Sequence, residues 1–156
     1  QIGSAEIRGS TFTNGFNGHL IKSRAAQTVL EDNLIVDAPS GRASYEVDLP
    51  NGGVALLRRN TIGQSVYSRN PVIIAYGAEG SHWPENRLEL HDNTLLGPSR
   101  SDPLRIWQAR LLPAATVTID ATQLHWRPMP GSAPLRNYND LALSPLQRST
   151  AGAIHW

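Results

Sequence analysis

The sequence predicts an all-β fold, a parallel β-helix of about five turns formed by one chain. Three observations predict it. Apolar residues alternate in short runs rather than at helical spacing, Gly, Pro, Asn and Asp cut those runs, and one run pattern recurs along the chain. The recurring unit reads Ile7-Arg8-Gly9-Ser10-Thr11-Phe12, Leu30-Glu31-Asp32-Asn33-Leu34-Ile35 and Leu57-Arg58-Arg59-Asn60-Thr61-Ile62. Leu90-His91-Asp92-Asn93-Thr94-Leu95 and the more degenerate Ile119-Asp120-Ala121-Thr122-Gln123-Leu124 follow. Aligned on Ser10, Asn33, Asn60, Asn93 and Thr122, the copies lie 23, 27, 33 and 29 residues apart, an irregularity that places insertions in loops.

Each element then has a reason. Between the copies lie further strand segments, His19 to Arg24, Ser44 to Leu49, Val72 to Gly77 and Leu104 to Gln108. In a coil of two or three strands per turn, each strand stacks on its equivalent about 4.8 Å away and forms parallel sheets around a filled core. Asn33, Asn60 and Asn93 should form an internal ladder, because a side-chain amide at a turn bonds to its copies above and below. Ser10 and Thr122 should end it. Alternation puts Ile7, Leu30, Leu57, Leu90 and Ile119 inward before the ladder turn, and Phe12, Ile35, Ile62, Leu95 and Leu124 inward after it. The repeats span residues 1–126. Residues 127–156, with Pro128, Pro130, Pro134 and Pro145, lose the repeat and read as a C-terminal tail packed outside or over the final turn, anchored by Trp126 and Trp156. No capping helix precedes Ile7, so the chain either continues upstream or meets a partner chain, a second copy included, at that end.

Composition narrows the function. The 156 residues are 40% hydrophobic and 17% charged, which excludes a disordered chain. Fourteen Lys+Arg against thirteen Asp+Glu leave a formal charge of +1 without a run of like charges, so nucleic acid is not an expected partner. Lys22 is the single Lys. No cysteine is present to make disulfides, thiolate nucleophiles or cysteine-ligated zinc. No apolar run approaches membrane-spanning length and no basic-then-apolar stretch follows Gln1, so any signal peptide is expected to be absent or already removed.

Gly18-His19-Leu20-Ile21-Lys22-Ser23-Arg24-Ala25, Ser44-Tyr45-Glu46-Val47-Asp48-Leu49-Pro50-Asn51-Gly52-Gly53 and Tyr76-Gly77-Ala78-Glu79-Gly80 together carry a resemblance. The region from Ile7 to Trp126 resembles bacterial right-handed parallel β-helix repeat proteins of the pectate-lyase-like superfamily, and the ending Arg148-Ser149-Thr150-Ala151-Gly152-Ala153-Ile154 is similar to the terminus of such proteins. The resemblance implies a right-handed coil and an exported protein, secreted or periplasmic. Some relatives are alginate-lyase-like and chondroitinase-like polysaccharide lyases, in which a Lys-Ser pair supplies the base, often with calcium nearby. Lys22-Ser23 is similar to that pair. The Arg-His-Gly segment that accompanies it one turn later is replaced here by Tyr45-Glu46-Val47-Asp48.

With Ile21 and Val47 inward, Lys22 and Asp48 point outward at matched positions on successive turns, with Glu46 beside them. The outer line is expected to run Lys22, Asp48, Tyr76, Trp107, with Arg105 on the same face. Mixed charge and aromatic rings suit sugars, whose ring faces stack on Tyr or Trp. The expected catalytic group is Lys22, Arg24 and Asp48, and the expected polysaccharide contacts are His19, Tyr45, Glu46, Tyr76, Glu79, Arg105 and Trp107. A lyase needs one cation on the uronate carboxylate and one base for the adjacent proton. The competing reading makes Lys22 and Asp48 a cross-strand ion pair that keeps the Lys protonated, and makes His19, with the parity of Ile21, a buried residue. Glu46 and Asp48 with Glu31 and Asp32 could supply oxygen ligands for calcium, although no diagnostic loop is present. No other cofactor or metal is expected, since the five His form no zinc pattern and no G-x-S-x-G elbow occurs. Trp83 lies in the longest insertion, as a binding wall or as a cover over the sheet. The function expected is a carbohydrate-active or carbohydrate-binding protein, a lyase on acidic polysaccharide if an enzyme. The alternative is a non-catalytic scaffold or assembly subunit that stacks through its open ends.

Overall fold

The computed structural model describes residues 2–37, 40–98 and 101–127, with the side chains of 126 and 127 excepted. The expected tail from 128 onward, with its Pro residues and Trp156, lies outside the described residues, as does the side chain of Trp126. Strands form where the alternating runs predict them. A first circuit holds β1 (Ser4–Arg8), β2 (Thr11–Phe12) and β3 (Ile21–Lys22), and a second holds β4 (Gln27–Glu31), β5 (Leu34–Val36) and β6 (Val47–Leu49). A third holds β7 (Val54–Arg58), β8 (Thr61–Gly63) and β9 (Val72–Tyr76). The fourth holds β10 (Arg87–His91), β11 (Thr94–Pro98) and β12 (Asp102–Ile106), and β13 (Thr116–Asp120) and β14 (Gln123–Arg127) close the series. All pair in parallel. The first sheet runs β1-β4-β7-β10-β13, the second β14-β11-β8-β5-β2 and the third β12-β9-β6-β3. The chain is all-β, with parallel strands in three sheets, an arrangement consistent with a parallel β-solenoid.

The register stacks the apolar residues in files. Ile7, Leu30, Leu57, Leu90 and Ile119 are successive partners across the first sheet. Phe12, Ile35, Ile62, Leu95 and Leu124 are successive partners across the second. Both predicted columns are present. In the middle circuits these side chains are fully enclosed, Leu57 and Ile62 at 0% exposure, whereas Ile7, Phe12, Ile119 and Leu124 on the outermost strands are only partly buried. Enclosing each such aliphatic side chain is worth about 1.5–3 kcal/mol, so the middle circuits hold most of the apolar driving force.

The turn between the first two sheets is made by the ladder. Asn33 Oδ1 accepts from the Ser10 N–H at 2.9 Å, Asn60 Oδ1 from the Asn33 N–H at 3.0 Å, and Asn93 Oδ1 from the Asn60 N–H at 3.0 Å. Each amide NH₂ donates in turn to the carbonyl of Ile7, Leu30 or Leu57. Thr122 closes the series, its Oγ1 accepting from Asn93 Nδ2 at 3.5 Å. The left-handed residue of each turn is the one before the ladder position: Gly9 (φ +55°), Asp32 (+56°), Arg59 (+53°), Asp92 (+53°) and Ala121 (+46°). One such residue turns the chain sharply enough to send the next strand into a different sheet.

Candidate functional site

The third sheet brings the expected cluster together. Ile21, Val47, Ile74 and Leu104 are successive inward partners, so the next position runs Lys22, Asp48, Ala75, Arg105 on the outer side. The predicted line is therefore off by one residue at Tyr76 and by two at Trp107. Tyr76 pairs with Leu49 and Ile106, points into the core at 0% exposure, and donates its hydroxyl to the Gly53 carbonyl. Burial pushes that phenol well above its ordinary pKa. β9 is apolar throughout, Val72-Ile73-Ile74-Ala75-Tyr76, and so carries no alternation from which parity could be read. Trp107 falls past the end of β12, partly buried before a short 3₁₀ turn (Gln108–Arg110), and Arg105 is exposed and paired with Asp102 at 2.9 Å.

Lys22, Asp48, Glu79, Arg24 and His19 form one chain of contacts. Lys22 Nζ lies 2.9 Å from Asp48 Oδ2 and 2.9 Å from Glu79 Oε1, and Arg24 Nη2 lies 2.7 Å from Glu79 Oε2. Glu79 arrives from the loop after β9, which is tied back to the preceding circuit by Glu79 N–H to Pro50 O at 2.8 Å and His82 N–H to Asn51 O at 3.2 Å. The cross-strand ion pair of Lys22 and Asp48 is thus present. Burial alone would lower the Lys22 pKa, but hydrogen bonds to Asp48 and Glu79 outweigh it and raise the value, so Lys22 is an ammonium at neutral pH. That state suits gripping a carboxylate and opposes proton abstraction.

His19 is set by its neighbours. Its Nδ1 accepts from the Tyr45 N–H at 3.2 Å, which puts the ring proton on Nε2, 3.3 Å from Asp48 Oδ2. The ring stacks on Tyr45 with centroids 4.9 Å apart and planes 8° from parallel. Burial, partly countered by Asp48, lowers its pKa, so both nitrogens of a neutral imidazole are engaged. Asp48 is 2% exposed beneath Lys22 and His19, and its Oδ1 has no hydrogen-bond partner. Glu46 is fully buried, its carboxylate 3.3 Å from the Gln64 amide, and so does not stand on a ligand-facing surface as expected.

Glu31 and Asp32, named with Glu46 and Asp48 as oxygen ligands for calcium, belong to a different neighbourhood. Glu31 binds Arg8, Arg58 and Arg59 on the first sheet, and Arg59 also grips Asp32 at 2.8 Å. Hydrogen bonding from Arg58, against the opposing effect of burial and with help from Arg59, holds the Glu31 carboxyl below its usual range. The four carboxylates are not brought together, and no group of three metal-binding side chains occurs among the described residues. Trp83 is partly buried with its indole against Gly53, where an added Cβ would lie 3.0 Å from Trp83 Cδ1, and its buried Nε1–H has no partner.

Protein families, curated proteins and solved structures give no match. The site must therefore be read from its own chemistry.

The Lys22–Glu79 contact sets a pH dependence. The Lys22 pKa is raised, so its contribution is intact below the unfolded-state value near 10 and is lost as pH rises through the folded value. Glu79 is held low by hydrogen bonds from Lys22 and Arg24, so its contribution is intact above about pH 4.3 and is lost as pH falls through the folded value. Glu79 is half exposed, which limits the effect to under about 1 kcal/mol. Urea unfolding of the protein and Glu79→Gln should show a gap at pH 7 that closes as pH falls below the carboxylate range. A gap constant with pH would show that the ion pairs contribute nothing.

Proposed function

We propose that this chain is a right-handed parallel β-helix of the pectate-lyase-like kind, exported, that holds acidic polysaccharide on the outer side of its third sheet. The observation that carries the reading is the grip of Lys22 and Arg24 on the Glu79 carboxylate. Two cations from one short segment, one a point charge and one a planar fork, converge on a single carboxylate whose other side faces solvent. A uronate carboxylate presented there meets the same donors once Glu79 swings aside. Stacked His19 and Tyr45, a rung away, offer a flat ring face. The reading favours binding over elimination, because Lys22 is protonated and His19 has no free basic nitrogen.

Polygalacturonate and alginate are the polymers to use. Binding is expected, with Lys22→Ala weakening it roughly tenfold, the effect of losing one charged hydrogen bond. Ultraviolet absorbance of an unsaturated product, absent in Lys22→Ala, would convert the reading from binder to lyase. Failure of both polymers to bind, with and without calcium, would overturn it.

The second reading is a scaffold that stacks through open ends, for which the half-buried inward residues of β1, β2, β13 and β14 would be the contacts. Light scattering over a concentration series separates the two, since stacking requires mass to grow with concentration.

A further inference from the structure

Most cations among the described side chains are already spent on carboxylates of the same chain. Arg8, Lys22, Arg24, Arg58, Arg59, Arg87 and Arg105 all lie within ion-pair distance of an Asp or Glu. Among the described residues, Arg42, Arg69 and Arg110 are the basic side chains with no such partner, and Arg110 donates to the Ala78 carbonyl. Arg42 and Arg69 are exposed and share one place in the fold, the loops that lead from the second sheet into the third. Two of the four large apolar side chains left exposed in the described residues occupy the same loops: Phe16, 70% exposed, and Tyr67, 55% exposed.

The loops are stacked and fixed. Arg42 N–H donates to Gly15 O at 2.8 Å, Ser44 N–H to Gly18 O at 2.7 Å, and Ser68 Oγ–H to Ala43 O at 2.6 Å, so residues 15–18, 42–44 and 68 lie on successive rungs. Asp37, fully buried beneath them, accepts from the Gly15 N–H at 2.8 Å and the Ala43 N–H at 2.9 Å. No Cβ fits at Gly15, where it would lie 2.6 Å from the Cβ of Ala43, or at Gly41, where it would lie 2.0 Å from Asp37 Oδ1. Rungs about 4.8 Å apart thus present Phe16, then Arg42, then Tyr67 and Arg69 from a rigid support.

We infer that this loop ridge is a binding surface for an anionic polysaccharide, with Arg42 and Arg69 taking carboxylate or sulfate groups and Phe16 and Tyr67 stacking on sugar rings. The inference rests on the acidic-sugar reading above and adds a surface to it. Charge complementarity carries it: unpaired guanidiniums beside exposed rings form a matched set for a ligand with both anionic groups and apolar ring faces. The two unpaired guanidiniums that the ridge presents among the described residues suit a sparsely charged sugar chain better than a phosphate backbone, which demands a continuous basic track.

Affinity electrophoresis of the whole protein at low salt tests this. Polygalacturonate should retard the protein and neutral dextran should not. Arg42→Gln/Arg69→Gln should weaken retardation by about tenfold or more, with circular dichroism unchanged because both side chains are exposed and unpaired. Phe16→Ala and Tyr67→Ala should each weaken it several-fold. Loss in Lys22→Ala but not in the double Arg variant removes the ridge and leaves the earlier reading standing. Loss in the double Arg variant but not in Lys22→Ala keeps the ridge and moves the site. No retardation by polygalacturonate ends both, and tighter binding to a thymidine oligonucleotide or to phosphatidylserine vesicles overturns the ridge as a sugar surface.

Discussion

Asn60→Ala is expected to cost on the order of 3–5 kcal/mol, from the unmade hydrogen bonds of a buried group. Asn60 is 1% exposed at the middle of the ladder, and its amide serves two neighbours at once. Its Oδ1 accepts from both the Asn33 N–H and Asn33 Nδ2 at 3.0 Å, while its Nδ2 donates to Leu30 O at 2.8 Å and Asn93 Oδ1 at 3.0 Å. Alanine strands donors on the circuit before and acceptors on the circuits before and after, where water cannot follow. Ser10→Ala and Thr122→Ala, at the ladder's ends, should each cost less than half as much. Urea unfolding of the three variants decides it: equal losses would show that the ladder is a geometric coincidence of turns made by the left-handed residues alone. Asn60→Asp should not rescue, since a carboxylate accepts but cannot donate and would carry a charge into a closed turn.

The parts of the fold legible in the sequence were those with a period. Leu30, Leu57 and Leu90 precede their ladder residues by a constant three positions, so both inward files and the ladder follow from alignment of the copies. Where the period is masked, legibility ends. β9 is apolar on both parities, and Tyr76 reads equally well as core or surface until the register of β6 and β12 fixes it inward. The candidate site was legible along the strand and illegible across loops. Lys22 beside Asp48 follows from strand stacking, but no spacing rule brings Glu79 back from the third circuit to meet Lys22 and Arg24 on the first. Of the trio around Glu31, Arg8 and Arg58 follow from the same stacking, one position after the inward file, whereas Arg59 reaches Glu31 from the turn and follows from no spacing rule. Arg42 and Arg69 escaped sequence reasoning for the opposite reason: what marks them is the absence of a partner, and partners are visible only when every other charge has been placed.

Gly53→Ala is the second large effect, and it separates the two surfaces proposed for sugar. Gly53 sits at φ +93°, and a Cβ there would lie 2.7 Å from the Ala26 carbonyl, 3.1 Å from that of Ala25 and 3.0 Å from Trp83 Cδ1. Two of those neighbours are backbone of the previous circuit and cannot rotate away. Left-handed strain of about 1–2 kcal/mol and overpacking of about 1–3 kcal/mol give an expected loss of roughly 2–5 kcal/mol. Gly9→Ala isolates the first component: its φ is +55° with nothing within 4 Å of an added Cβ, so only the strain remains. Gly53→Ala should therefore lose more than Gly9→Ala by at least the overpacking, its φ lying farther from the left-handed optimum, and equal losses would show that Ala25 and Ala26 yield freely. The functional consequence follows from position. Ala25 and Ala26 continue directly from Arg24, and the Gly53 carbonyl also accepts from the Arg87 N–H at 3.0 Å and from the Tyr76 hydroxyl, so the shift that relieves the clash is expected to fall on the segment carrying Arg24 and to disturb its contact with Glu79. The loops bearing Phe16, Arg42 and Arg69 lie at the other end of the third-sheet strands, the first two held by Asp37 and the third by Ser68 on the Ala43 carbonyl, apart from this strain. Polygalacturonate affinity in folded Gly53→Ala should fall as it does in Lys22→Ala and should retain its dependence on Arg42 and Arg69. Affinity unchanged from the parent protein, with the stability loss present, would show that the grip of Lys22 and Arg24 plays no part in binding.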